Sequence, residues 1–284
     1  MRTVFVNGDY VAENEAKISI FDRGFLFADG VYEVTSILGG KLIDFEGHFA
    51  RLTRSVGELD MGLDMSKDDL LAMHRKLVEL NELDEGLVYL QVTRGEADRD
   101  FAFPPEGTPN TIIAFTQKLN LLDAPKAKTG ISVISVEDLR WGRCDIKTVQ
   151  LLYPSLASME ARKQGKQGAW LTRDGFVTEG TANNAYIVTK EGTIVTRDIS
   201  HSILSGITRK AVLAVADKLQ MKIEERPFTL EEAANAAEAF TTAATIFVMP
   251  VIEIDGKQVG DGQPGPVAKK LREIYIEESL KNAV

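Results

Sequence analysis

The chain has a single cysteine, Cys144. It cannot form an internal disulfide, so nothing in the sequence points to an oxidising compartment. Histidine is scarce too, with only His48, His74 and His201, and no Cys/His metal cluster is expected. Long hydrophobic runs are missing. The longest apolar stretch, Ala239 to Ile252, is broken by Thr241, Thr242 and Thr245, and it is too short to span a bilayer. After Met1-Arg2-Thr3-Val4-Phe5 the chain turns at Asn7-Gly8 without an apolar h-region, so no signal peptide is expected. These absences predict a cytoplasmic protein with no membrane partner. Positive charge is also in short supply. Against 42 Asp and Glu stand 33 Lys and Arg, a formal net charge of −9. Such a surface repels phosphodiester backbones, so no nucleic-acid partner is expected. A locally positive site for one small phosphate is still compatible with it.

What is present is an ordinary globular balance, 44% hydrophobic and 26% charged over 284 residues. That length suits one large domain or two ordinary ones. Val4 and Val6 alternate up to Asn7-Gly8, and Tyr10-Val11 follows, which predicts a hairpin. A loop is expected over Asp22 to Gly30, then a strand at Val31 to Val34. Phe49, Leu52, Val56 and Leu59 recur at helical spacing, and Leu70, Leu77 and Val78 mark a second helix. Strands are expected around Val88 to Val92 and Thr111 to Phe115. The second part is denser in strands, with turn signals at Arg173-Asp174-Gly175, Glu191-Gly192 and Asp255-Gly256. Helices are expected from about Ile207 to Leu219 and at the C-terminus. This predicts a small N-terminal α+β domain over residues 1–118, a linker over 119–129 and a larger, strand-rich C-terminal domain over 130–284.

Four segments can carry chemistry, and each has a plain structural alternative. Lys147 follows Cys144-Asp145-Ile146. By itself a lysine in an apolar setting is more often a snorkelling surface residue. Kept partly dry, it can form an imine with an aldehyde. Glu179, ahead of Gly180-Thr181-Ala182-Asn183-Asn184, is equally a turn residue or a carboxylate facing a pyridine nitrogen. Leu204-Ser205-Gly206-Ile207-Thr208 opens a helix; it is a plain cap or, through its free amides and dipole, a phosphate site. Arg51 sits on the polar side of the early helix as a solvated arginine or a second phosphate ligand. No strand-following Gly-x-Gly-x-x-Gly opens a helix, which argues against a dinucleotide-binding dehydrogenase.

Together these segments resemble the fold-type IV pyridoxal-phosphate enzymes, in the same order over nearly the whole chain. The likeness rests on Asp22-Arg23-Gly24, Asp29-Gly30-Val31-Tyr32-Glu33, His48-Phe49-Ala50-Arg51-Leu52, Arg140 to Lys147, Thr178-Glu179-Gly180 and Ser205-Gly206-Ile207-Thr208-Arg209. Within that class the chain looks most like the D-amino acid (D-alanine) aminotransferases. The resemblance implies a two-domain α/β (α+β) architecture whose larger domain is a pseudo-barrel. It implies pyridoxal 5′-phosphate held on Lys147 as a Schiff base, with Lys147 also moving the proton. Glu179 would pair with the ring nitrogen, and Leu204 would pack on the ring. Arg51 and the amides at Gly206-Ile207-Thr208 and Ala244 would bind the phosphate. Relatives often carry hydroxyl residues where this chain has Ala243 and Ala244. Tyr32 and Arg99 match two members of a substrate-carboxylate trap, part of which a neighbouring subunit donates. The third member, a histidine, is Phe101 here, so one donor is lost.

The implied reaction is a ping-pong transamination between an amino acid and a 2-oxo acid in a homodimer, with no metal. Branched-chain L-aminotransferases, R-selective amine transaminases and aminodeoxychorismate lyases share the same cofactor machinery and stand as alternatives. So does a non-catalytic binding protein that kept the fold.

Overall fold

A computed structural model describes all residues, 1–284. It divides into two compact units interleaved along the chain. The first holds Met1–Asn120, Ile146–Gln150 and Ser279–Val284, and the second holds Leu121–Asp145 and Leu151–Glu278.

The first unit carries β1 (Thr3–Val6), β2 (Asp9–Ala12), α1 (Arg23–Phe27), β3 (Gly30–Leu38), β4 (Lys41–Leu42), α2 (Phe45–Glu58), α3 (Lys67–Leu80), β5 (Glu85–Thr93) and β6 (Thr111–Lys118). Its six strands form one antiparallel sheet in the order β2-β1-β6-β5-β3-β4. Asn7 and Gly8 take φ of 49° and 104°, the positive values a type I′ hairpin needs at both central residues. In α2, Phe45, His48, Leu52, Ser55 and Val56 are buried, and Phe49 and Leu59 pack on the same core. Three- and four-residue spacing puts these side chains on one helical face. The expected loop at 22–30 contains the five-residue helix α1, which Asp22 caps by accepting from the Gly24 and Phe25 amides.

The second unit carries α4 (Pro125–Thr129), β7 (Ile131–Glu137), α5 (Leu152–Lys163), β8 (Gly168–Arg173), β9 (Phe176–Gly180), β10 (Asn184–Val188), β11 (Ile194–Thr196), α6 (Ile207–Lys218), β12 (Ile223–Glu225), α7 (Leu230–Asn235), β13 (Glu238–Ala243), β14 (Phe247–Ile254), β15 (Lys257–Gln258) and α8 (Pro266–Asn282), whose last turn belongs to the first unit. Its strands run β12-β11-β10-β13-β14-β7-β8-β9, with β15 beside β14. The sheet curls until β9 lies against β10, giving the strand-rich half-barrel expected for this fold class. The apolar stretch Ala239 to Ile252 is the hairpin of β13 and β14, buried in the core. No helix is long and apolar enough to cross a membrane.

Candidate active site

In the first unit, alternation along β3 sends Tyr32 and Glu33 to opposite faces of the sheet. β5 pairs with one edge of β3 along its length. Residues 147–149 cover the start of the other edge. The Tyr32 amide donates to the Lys147 carbonyl at 3.0 Å, the Val149 amide to the Gly30 carbonyl at 3.1 Å, and Val31 bridges to Thr148. This added backbone segment brings Lys147 to Tyr32, with Nζ 4.0 Å from the centre of the ring. An amine there is attracted to the π face when charged. Tyr32 stacks on Tyr89 at 5.5 Å, and Tyr89 on Phe115 at 4.8 Å. Burial pushes the Tyr89 hydroxyl up to about 12, and it donates to Gln91 Oε1 at 2.9 Å.

On the other face, Glu33 meets Arg51 and His48. Arg51 Nε and Nη2 donate to the two carboxylate oxygens at 2.7 Å each, and His48 Nδ1 donates to Oε2 at 2.7 Å. Burial alone would raise the Glu33 pKa. The Arg51 charge and the hydrogen bonds from Arg51 and His48 overcome it and hold the value at about 2. Arg51 is therefore not the solvated residue its polar neighbours suggest; its side chain is only 9% exposed. His74 lies across a small cavity from His48, donates to the Leu70 carbonyl at 2.7 Å, and is drawn down to about 4, chiefly by burial.

Arg99 and Phe101 stand on an exposed loop. Arg99 lies 5.5 Å from the centres of the Phe27 and Phe101 rings, which meet edge-on at 5.7 Å, and Phe101 is 81% exposed. No hydrogen bond or ring contact joins this pair to Tyr32. Arg23 tethers the loop, donating to the Asp100 carbonyl at 2.8 Å and to Asp29 Oδ2 at 2.8 Å. Arg94 shares the same Asp29 oxygen at 2.8 Å.

In the second unit, Glu179 ends β9 and is buried. Arg140 Nη1 donates to Oε1 at 2.6 Å, while Asn184 Nδ2 and the Leu204 amide donate to Oε2 at 3.0 and 3.1 Å. A carboxylate offers about four acceptor positions, so one remains on Oε1. Burial pushes the Glu179 carboxyl up, against the pull of Arg140 and the Leu204 amide. Burial also works against the Arg140 charge, but the Asp138 hydrogen bond and the Glu179 charge reverse this and raise its pKa.

Asn184 also binds the Leu204 carbonyl at 2.9 Å, so one amide ties the Glu179 carboxylate to the loop that starts α6. Its Oδ1 approaches Gly206 so closely that a Cβ there would lie 2.1 Å away. No side chain caps α6, and the amides of Ile207 and Thr208 open its first turn. Those amides and the helix dipole suit an anion. Ala244 lies in the turn between β13 and β14.

The structure thus brings together Lys147 with Tyr32, and Glu179 with Leu204 and Gly206. The sequence reading assigned no role to Glu33, His48, Arg140 or Asn184, all of which lie inside the segments it singled out. One signal was available: His48 and Arg51 are three apart on a helix and share a face.

Comparison with known proteins assigns the chain to a family. A family model described as amino-transferase class IV matches residues 30–254. The chain belongs to that family and is an aminotransferase. It is 38% identical over 282 residues to the D-alanine aminotransferase of Staphylococcus aureus (strain MSSA476), covering 98% of this chain and 99% of the relative. It is 39% identical over 282 residues to the D-alanine aminotransferase of Staphylococcus haemolyticus, with the same coverage. Among solved structures, a branched-chain amino acid aminotransferase from T.th., solved with pyridoxamine 5′-phosphate, matches with a TM-score of 0.88 at 25% identity, over 97% of this chain and 93% of that one.

Proposed function

We propose that the protein transfers amino groups between D-amino acids, D-alanine foremost, and 2-oxo acids, using pyridoxal 5′-phosphate held on Lys147. The observation that carries the reading is the buried Glu179 carboxylate, fixed by three donors with one acceptor position left for a protonated ring nitrogen. The uncapped start of α6 likewise fits a phosphate. The cofactor supplies an aldehyde and an electron-withdrawing ring that takes up the electrons of the broken Cα–H bond.

The chain's own residues do the rest. Lys147 Nζ carries the proton from the substrate Cα. Glu179 keeps the ring nitrogen protonated, and Leu204 packs on the ring. Arg51 and the amides of Ile207, Thr208 and Ala244 hold the phosphate. Tyr32 and Arg99 bind the substrate carboxylate, and Phe101 contributes no donor to it. We read the protein as a cytoplasmic homodimer in which the partner subunit's Arg99 serves each site. The exposed Phe25, Phe101 and Phe103 support such a contact. The D-alanine preference rests on the near full-length likeness to the staphylococcal enzymes.

Borohydride reduction of the holoenzyme should fix the coenzyme to Lys147, as read by peptide mass. Lys147→Ala should lose the visible chromophore and turnover by at least ~10²–10⁴-fold, the scale of a general acid–base group. A donor panel of D-alanine, L-leucine and R-1-phenylethylamine should give the fastest turnover with D-alanine. Label on another residue, or a preference for L-leucine, would overturn the corresponding part of the assignment.

A further inference from the structure

Strands β13 and β14 are joined by a tight turn. Ala243 pairs with Phe247, and the Ile246 amide donates to the Ala243 carbonyl at 3.2 Å. Phe247 has φ of 56°, a left-handed conformation disfavoured for any L-residue with a bulky side chain. Such a conformation persists only when its surroundings over-determine it.

The surroundings come from α8. Arg272 Nη1 donates to the Ile246 carbonyl at 2.7 Å and the Val248 carbonyl at 3.2 Å, the two carbonyls flanking Phe247. Its Nη2 donates to the Leu121 and Leu122 carbonyls. The guanidinium carbon is 5.5 Å from the centre of the Phe247 ring. One turn further along the helix, Tyr275 meets that ring edge-on at 5.4 Å. Arg272 is buried, no carboxylate is within ion-pair reach, and burial pulls its pKa down. Four carbonyl dipoles are what hold the cation in place.

We propose that Arg272 is a positioning residue for the phosphate site: its forked guanidinium clamps the strained Ala243–Phe247 turn so that the Ala244 amide is presented to the phosphate. The proposal rests on the cofactor reading above. A guanidinium can serve two separated carbonyl pairs at once, whereas a lysine ammonium is a single point and an aliphatic side chain offers no donor. Arg272 donates to backbone carbonyls alone, so its effect should fall on the phosphate group alone.

The test compares wild type, Arg272→Lys and Arg272→Met. Each holoenzyme is stripped with hydroxylamine and titrated with pyridoxal phosphate and, separately, with pyridoxal, which lacks the phosphate. For Arg272→Met we expect affinity for pyridoxal phosphate to fall by about 10- to 100-fold, the worth of one charge-assisted hydrogen bond. Pyridoxal binding should be unchanged. Arg272→Lys should show a smaller loss, again confined to pyridoxal phosphate, and it carries the test if Arg272→Met does not fold. Equal weakening of both ligands, the mark of general structural damage, would overturn the proposal, as would unchanged affinity for pyridoxal phosphate. A wild type that binds both ligands equally well would overturn the cofactor reading and the proposal together.

Discussion

Each unit buries a glutamate against an arginine, and the two pairs behave differently. In the first unit, Arg51 turns both Nε and Nη2 onto Glu33, His48 adds a third bond, and the acid is held at about 2. In the second, Arg140 divides itself. Its Nε and Nη2 go to Asp138 at 2.9 and 2.8 Å, and only Nη1 reaches Glu179. Each acid accepts three bonds and keeps one position on Oε1, but burial pushes the Glu179 carboxyl up. The same two residue types therefore make a carboxylate held well below its usual range in one place and one pushed above it in the other. The number of guanidinium N–H groups aimed at the acid decides which.

Breaking the Glu33–Arg51 pair should have the largest effect. Glu33→Ala leaves the Arg51 charge buried without its acid and should destabilise the protein by about 3–5 kcal/mol, measured by urea unfolding. The pair also sets an acid response. Glu33 sits at about 2 in the fold against an ordinary value of 4.5. It stabilises above pH 4.5 and loses that contribution as pH falls toward 2, roughly 3 kcal/mol in all. Glu179 acts in the opposite sense, costing stability as pH rises through its raised value. Glu33→Gln should thus flatten the acid limb of the stability curve. An acid limb identical to wild type would break the comparison.

The contrast is sharpened by Glu179→Gln. On the proposed pairing of Glu179 with the ring nitrogen, kcat should fall by about 10²–10³-fold, as when a preorganised electrostatic group is removed. Thermal unfolding of the variant should change much less than that of Glu33→Ala. If turnover survives, Glu179 is only another structural acid. The smallest effect is expected from Gly206→Ala. Its Cβ would push on Asn184 Oδ1, and overpacking of this kind costs about 1–3 kcal/mol. Because Asn184 holds Glu179 Oε2 as well as the Leu204 carbonyl, weaker cofactor binding and a lower kcat should appear together.

Some of the fold was legible from local rules. Asn7-Gly8, Asp174-Gly175 and Asp255-Gly256 all adopt the positive φ that their residue types favour. The spacing in α2 and the start of α6 are equally local. Helix α5 escaped notice because its large apolar residues Leu152, Leu156 and Met159 face outward, while the buried positions Ala157 and Ala161 are small. Periodicity searches for large apolar side chains, and this helix buries the other set. The partners of the candidate site were hidden for another reason. Arg140 meets Glu179 from 39 positions away, and Glu33 is 15 from His48 and 18 from Arg51.

The sequence by itself determined the turns, the start of α6 and the reactive residue types, because each follows from the conformational preference or chemistry of a few neighbouring residues. Only the tertiary structure decided that Lys147 lies against Tyr32, that Arg51 is bound to Glu33, and that Arg272 clamps a turn far from it in the chain. Those outcomes depend on which distant segments meet. Burial then amplifies every charge and every unused hydrogen-bonding position at the meeting point.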